Sequence, residues 1–382
     1  MTASVGSPHD PVPRISEPPK FIPRCPGVHH QAEKLACTRS DLEDFVRVRR
    51  APVITACLAL LGLAVGVPNA AADRGPDPYT FAVIGDIPYG AAQIARFPKV
   101  VDQINADKPV KLVTHLGDIK DGSSVCSDEY FAQVKTQFDR FADPLVYTVG
   151  DNEWTDCHRT NNGAYNPLER LAKIRQVFFP QPGRTLGQHS VKVDSQVAQG
   201  IPEDVRFTRG DVAFAALHIV GSNNSMAPWT GKTAPTPEQA AEVLNRTSAV
   251  MQSIHDTFAQ ARADRDKAVV LLTQADMFDP TVTNPSFADY YAFQPIVQEI
   301  ARESASFHGP VYLFNGDSHV YNSDKPLAAG SNWLSFYGVT APADNLSRIT
   351  VDGSTKDNDY LRVTIDPRNP AVLSWVRVPF TS

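Results

Sequence analysis

The sequence predicts an α/β fold with a parallel sheet at its centre and a β-rich C-terminal segment. Three observations carry this. Apolar β-runs alternate with helical stretches at the pace of strand–helix–strand units. Four of those runs end in Gly-Asp, which marks repeated strand exits. Beyond residue 330 the helical stretches give way to short strand-like runs separated by turn residues.

The elements follow in order. Thr80–Ile84 reads as a strand and Ala91–Ala106 as a helix, then Lys111–Leu116 as a strand and Asp128–Phe141 as a helix. Leu145–Val149 is a third strand. Arg206–Thr208 and Val212–Val220 flank Arg209-Gly210-Asp211, a hairpin turn. Gly221–Thr236 is a polar loop, and Pro237 opens a long helix to about Ala263. Ala268–Thr273 is a strand, Ser286–Glu303 a helix and Val311–Asn315 a strand. Leu334–Thr340, Ser347–Val351, Tyr360–Ile365 and Ala371–Val378 read as a closing antiparallel run. Together they make one large two-layered domain, placed at 73–382.

The first 72 residues read as an address. Arg47, Arg49 and Arg50 precede an uncharged apolar run, Ala51–Val67, and Ala70-Ala71-Ala72 follows. This is the secretory-signal layout, with 51–72 as signal peptide and cleavage after Ala72. A retained membrane anchor is the rival, but the run sits at the short edge for spanning. Residues 1–50 hold seven prolines and no sustained period, so they read as a disordered extension. Either translation starts further in, near Val46 or Val48, or the segment is a cytoplasmic tail. Of five cysteines, Cys126 and Cys157 lie beyond the signal. An even pair suits an oxidising compartment, with two free buried thiols as the alternative. The expected location is secreted, periplasmic or cell envelope, with no stable membrane insertion after cleavage.

Hydrophobic residues make up 42% of the 382 and charged residues 20%, a globular balance. Net charge is −6, so no basic surface is expected to hold nucleic acid. No Gly-x-Ser-x-Gly elbow ends a strand, and no Gly-x-x-x-x-Gly-Lys-Ser/Thr loop is present.

The chemistry concentrates at the Gly-Asp dipeptides: Gly85-Asp86, Gly117-Asp118, Gly150-Asp151, Gly210-Asp211 and Gly316-Asp317. Gly210-Asp211 is a hairpin turn. The other four end β-runs, and ligands of parallel sheets bind at strand carboxyl ends. Asp86, Asp118 and Asp151 are spaced 32 and 33 residues apart, one strand–helix unit each. Three carboxylates on one rim repel one another unless a cation lies among them. Each dipeptide alone is more often a turn or a helix cap. The joint pattern is stronger, because Asp121, Asn152, Glu153 and His319 lie beside these strand ends, and Gln274 and Asp276 follow the further strand Val269–Thr273.

The succession Gly85-Asp86, Gly117-Asp118-Ile119-Lys120-Asp121, Gly150-Asp151-Asn152-Glu153 and Gly316-Asp317-Ser318-His319 resembles the calcineurin-like metallophosphoesterases. That family carries Asp-x-His, Gly-Asp-x-x-Asp, Gly-Asn-His-Glu/Asp, a lone His and Gly-His-x-His. The resemblance covers about residues 79–322. It implies an αββα sandwich with mixed sheets, a β-rich C-terminal segment and two divalent metal ions at strand ends. Asp86, Asp118, Asp121, Glu153 and His319 match the pattern outright. Pro88, Asn152, Gln274 and Asp317 stand where the family has histidine, and Asp151 where it has asparagine.

The resemblance therefore implies that Asp86, Asp118 and His319 hold one metal. Asp118, Asp151, Gln274 and Asp317 hold the other, with Asp118 bridging. Asn152, Asp121 and Glu153 are the expected catalytic residues. Asn152 can bond a phosphate oxygen but cannot give a proton as an imidazolium can. His115 and His158 are spare candidates, read as a strand and a loop histidine. Trp154 and Tyr89 are expected to wall the pocket. An oxygen-rich set suits Mg, Mn or Ca better than Zn. The expected function is an exported phosphoesterase acting on a small phosphomonoester or phosphodiester through a water activated by two metals. The alternative is a non-catalytic extracytoplasmic protein that keeps the fold and a degenerate metal site.

Overall fold

A computed structural model describes residues 78–381. The expected signal, the N-terminal extension and the start of the chain lie outside the described residues.

Two sheets pack face to face. The first has order β12-β11-β1-β2-β3, with β1 Tyr79–Ile84, β2 Val110–His115, β3 Leu145–Tyr147, β11 Asp359–Ile365 and β12 Leu373–Pro379. The second has order β4-β5-β6-β7-β8-β10-β9. Its strands are β4 Asp194–Gln196, β5 Ile201–Arg209, β6 Val212–Ala216, β7 Ala268–Leu272, β8 Val311–Asn315, β9 Asn322–Asp324 and β10 Leu346–Thr350. β1, β2 and β3 run parallel, as do β6, β7, β8 and β10.

Strand alternation explains the layering. Phe81 and Val83 of β1 and Phe214 and Ala216 of β6 point inward into one core shared by the sheets. Phe81 meets Phe214 edge-on at 5.5 Å between ring centroids. The opposite faces are also buried. Ala82 and Ile84 pack under the helices Gly90–Ala106, Asp128–Phe138 and Pro167–Phe178. Ala213 and Ala215 pack under Pro237–Asp264 and Gln294–Ser306. With both faces covered, these strands are continuously apolar. The two sheets and their flanking helices make the αββα sandwich that the resemblance implies.

Several expectations need correction. Leu334–Thr340 is not a strand: Asn332–Tyr337 is a short helix, capped by the Ser331 hydroxyl and stopped at Gly338 in the left-handed region. Its aromatic residues face a side-chain cluster rather than a sheet neighbour, since Tyr337 is buried against Phe278. The closing strands are not one antiparallel run. β10 lies parallel to β8, whereas β11 and β12 cross to the first sheet and pair antiparallel with β1 and each other. The helix expected from Ser286 begins at Gln294, after two single 3-10 turns. Pro167–Phe178 went unread as a helix, although Asn166 caps it and Pro167 opens it.

Candidate metal centre

The parallel strands of both sheets aim their carboxyl ends at one place. β1, β2 and β3 deliver Asp86, Asp118 and Asp151. β7 and β8 deliver Gln274, Asp317 and His319, and β6 leads into Gly221 and Ser222. Asp86, Asp118 and Asp317 have φ near 54°, 54° and 74°, and His319 has 58°. These left-handed conformations make the sharp exits, and Asp tolerates them better than most residues. The neighbouring glycines matter for a different reason than the sequence suggests. A Cβ on Gly316 would fall 2.3 Å from Asp86 Oδ2, and one on Gly221 would fall 2.6 Å from Asp151 Oδ2. Glycine makes room for the carboxylates to converge.

Two donor groups result, each with its donor atoms within 4.8 Å of one another: Asp86, Asp118 and His319, and Asp118, Asp151 and Asp317. Asp118 belongs to both. Asp86 and Asp118 are almost fully buried, and His319 is about one-third exposed. Burial, with repulsion from Asp151 and their neighbours, pushes the Asp118 and Asp317 carboxyls well above the usual range. Asp86 is pushed up by burial as well, against the opposing His319 hydrogen bond. Burial opposes charge on His319, but Asp86, 3.4 Å away, outweighs it and raises the imidazole. Asp86 Oδ2 is buried with no hydrogen-bond partner among the described residues. An orphaned carboxylate oxygen, crowded like charges and an oxygen-rich donor set all fit divalent cations.

The remaining candidates sit around these groups. Asn152 Nδ2 donates to Asp118 Oδ2 (2.7 Å) and to the Tyr89 hydroxyl (2.9 Å). Tyr89 donates to the same Asp118 oxygen (2.9 Å) and lies 3.3 Å from His319 Nε2. So Tyr89 is part of the site's hydrogen bonding, not only its wall. Gln274 turns its amide nitrogen to Asp118 and Asp151, both at 3.3 Å, while its oxygen accepts the Gly221 N–H at 2.7 Å. In this orientation Gln274 stabilises the carboxylates as a donor. To ligate a metal, its oxygen would have to leave Gly221.

Glu153 lies beneath the site. Its Oε1 accepts from the backbone N–H of Gly150 and Asp118 and from the Tyr147 hydroxyl. It pins the β2 and β3 exits together. Asp121 accepts from the backbone and side chain of Ser123, and its hydroxyl neighbour Ser124 also donates to it. It shapes its own turn and belongs to neither donor group. Lys120 joins the two loops, donating to Asp121 O (2.7 Å) and Asn152 O (2.9 Å). His115 is buried against Ile87 O, and His158 bonds Thr230 in a loop. Trp154 is a core residue.

Sequence reasoning missed Ser222. Its hydroxyl lies 2.9 Å from Asp151 Oδ2 and 3.0 Å from Asp156 Oδ1. Burial first, then Asp151, raises Asp156 to about 7. Ser222 to Ser225 all have φ between 51° and 69°, a left-handed turn held across the site. The signal was its position after β6, the same kind of strand end that marks the other site residues.

Cys126 and Cys157 form a disulfide behind Asn152, whose carbonyl lies 3.6 and 3.7 Å from the two sulfurs.

A model of the calcineurin-like phosphoesterase family matches residues 79–321. The chain belongs to the calcineurin-like phosphoesterases. No curated protein matches it. Similar solved structures include a dimetal phosphatase from Danio rerio, at 11% identity and TM-score 0.48, covering 80% of this chain and all of that one. GAP50, the anchor in the inner membrane complex of Plasmodium, is 10% identical at TM-score 0.38, covering 80% and 90%. A purple acid phosphatase from yellow lupin (Lupinus luteus) seeds is 8% identical at TM-score 0.41, covering 79% and 54%. Calcineurin-like phosphoesterases use divalent metal ions, and this member has candidate groups of acidic and histidine side chains for them. Among the described residues no helix is long and apolar enough to cross a membrane.

Proposed function

We propose that this chain is an exported, metal-dependent phosphoesterase that hydrolyses a small phosphomonoester or phosphodiester. The observation that carries the reading is Asp118, shared by two groups of converging donors. Asp86, Asp118 and His319 would hold one divalent ion; Asp118, Asp151 and Asp317 would hold the second. Such ions polarise a phosphoryl oxygen and make water more acidic. The chain's own part is orientation. Asn152 and Tyr89 now bond Asp118 Oδ2. With a cation held by Asp118, their N–H and O–H would be available to bond a phosphoryl oxygen. Burial and Asp118 raise the Tyr89 phenol well above its usual value, so it holds its proton and donates it as a hydrogen bond. Ser222 and the raised Asp156 fix Asp151 from behind. The disulfide supports an oxidising compartment.

A second reading is a protein that binds metal without turnover. It is favoured by Asn152, which stands beside Asp118 but has no proton to transfer. The test is calorimetric titration of metal-free protein with Mn, followed by a panel of chromogenic monoesters and diesters. Two ions bound with turnover support the enzyme; ions without turnover support the second reading. Asp118→Asn should lose both ions' tight binding and cut turnover by about 10³-fold or more. An unchanged rate refutes the shared-ligand role.

A further inference from the structure

We propose that the cavity beside the metal centre receives a cationic organic substituent of the phosphate ester. The proposal rests on the phosphoesterase reading for where the phosphate sits. The cavity has a volume of about 530 Å³. Its lining includes Ser222 and Asp317, which touch or belong to the second donor group. It is therefore the space into which a substituent on a bound phosphate would extend.

The lining decides the chemistry. Tyr290, Tyr291 and Phe293 supply aromatic surface. Trp333 and Phe336 pack against Tyr290 at 6.1 and 5.9 Å between centroids, which holds that wall in place. Asp276, Asp279 and Asp289 also line the cavity, and among the described residues no Lys, Arg or His does. Asp276 is paired with Arg348 at 2.5 Å, a guanidinium it shares with Asp324. Among the described residues Asp279 accepts only from Thr281, its own turn. Neither Asp279 nor Asp289 pairs with a basic side chain among the described residues.

The two unpaired carboxylates act on one region. The Tyr290 phenol is raised by burial first and then by Asp279, Asp276, Asp317 and Asp289. Metal binding would offset the charge of Asp317 but leaves Asp279 and Asp289 as they are. An anionic substituent, such as a further phosphate or a carboxylate, meets repulsion here. A neutral one gains only apolar contact. A quaternary or primary ammonium gains the carboxylates and the ring faces together.

The experiment uses the full Mn-loaded chain and two diesters that differ only in charge: p-nitrophenyl phosphorylcholine and p-nitrophenyl 3,3-dimethylbutyl phosphate. They share a leaving group and nearly share a shape. The expected kcat/KM ratio is about tenfold in favour of the cation. A ratio near one, or preference for the neutral ester, overturns the proposal. Asp279→Asn with Asp289→Asn, and separately Tyr290→Leu, should shrink the ratio; a ratio unmoved by both also overturns it. Calorimetry of phosphocholine against 3,3-dimethylbutyl phosphate reads the pocket without turnover. If neither diester is cleaved but phosphocholine binds about tenfold tighter, the phosphoesterase reading fails and the cation pocket stands. If the esters are cleaved without discrimination and the two phosphates bind alike, the pocket fails and the enzyme stands.

Discussion

Glu203 shows how a single buried side chain can set the acid limit of this molecule. It is fully buried, with the Arg175 guanidinium on both of its oxygens and His218 Nδ1 at 2.7 Å. Burial pushes its carboxyl up, but the His218 hydrogen bond and the Arg175 charge outweigh that and hold it at about 2. His218 is itself lowered by burial, so at neutral pH it is an uncharged donor and Arg175 carries the standing charge. Because the folded value lies below the unfolded one, this carboxylate stabilises the fold fully above about pH 4.5. The contribution is lost as pH falls toward 2. Glu203→Gln should cost about 3 kcal/mol at pH 7, and urea unfolding should show the gap to the parent closing below pH 4.5. A gap that stays constant across that range would contradict the assignment. Site residues differ in how far they could be read in advance. Asp86, Asp118, Asp151, Asp317 and His319 were legible because each follows an apolar run ending in glycine. Tyr89 could be placed at the pocket wall, but not its hydrogen bond to Asp118, and Ser222 carried only the signal of following β6, because hydroxyls reach their partners through the geometry of turns. Glu153 looked like a site acid, but only the fold reveals that its oxygen faces two backbone amides.

At the scale of the element, the strand exits hold the design. The apolar runs of β1, β2, β7 and β8 announce themselves, because strands buried on both faces need no polar alternation. The direction of β10 did not, because a parallel neighbour leaves the same local pattern as an antiparallel one. The helix Asn332–Tyr337 misled for a related reason: its aromatic residues suit a strand, and only packing against Phe278 makes them helical. Each exit depends on an absent side chain next door. Gly316→Ala places a methyl 2.3 Å from Asp86 Oδ2. The carboxylate must move, so we expect Mn affinity to fall at least about tenfold, with a loss of about 1–3 kcal/mol in stability. Calorimetric titration and thermal unfolding check the two numbers separately. Unaltered Mn binding would mean that Asp86 is not held as described.

For the whole molecule, the disulfide is the covalent constraint on the region behind the metal centre. Cys126 and Cys157 close a loop of 31 residues that contains β3 and the Asn152 turn. Replacing both with Ala should lower stability by about 4 kcal/mol in the chain-entropy account, measured by urea unfolding of the oxidised parent and the variant. Added reductant should then weaken the parent and leave the variant unchanged.

The donors come from two different sheets, and this bears on how the domain comes apart. Asp86, Asp118 and Asp151 hang from one sheet, Asp317 and His319 from the other, so bound ions would rivet the halves at their rim. Chelation would remove that rivet and leave crowded negative charge prising the edges apart. Amide exchange should then quicken first at the carboxyl ends of β1, β2 and β8, while the opposite ends of the same strands stay protected.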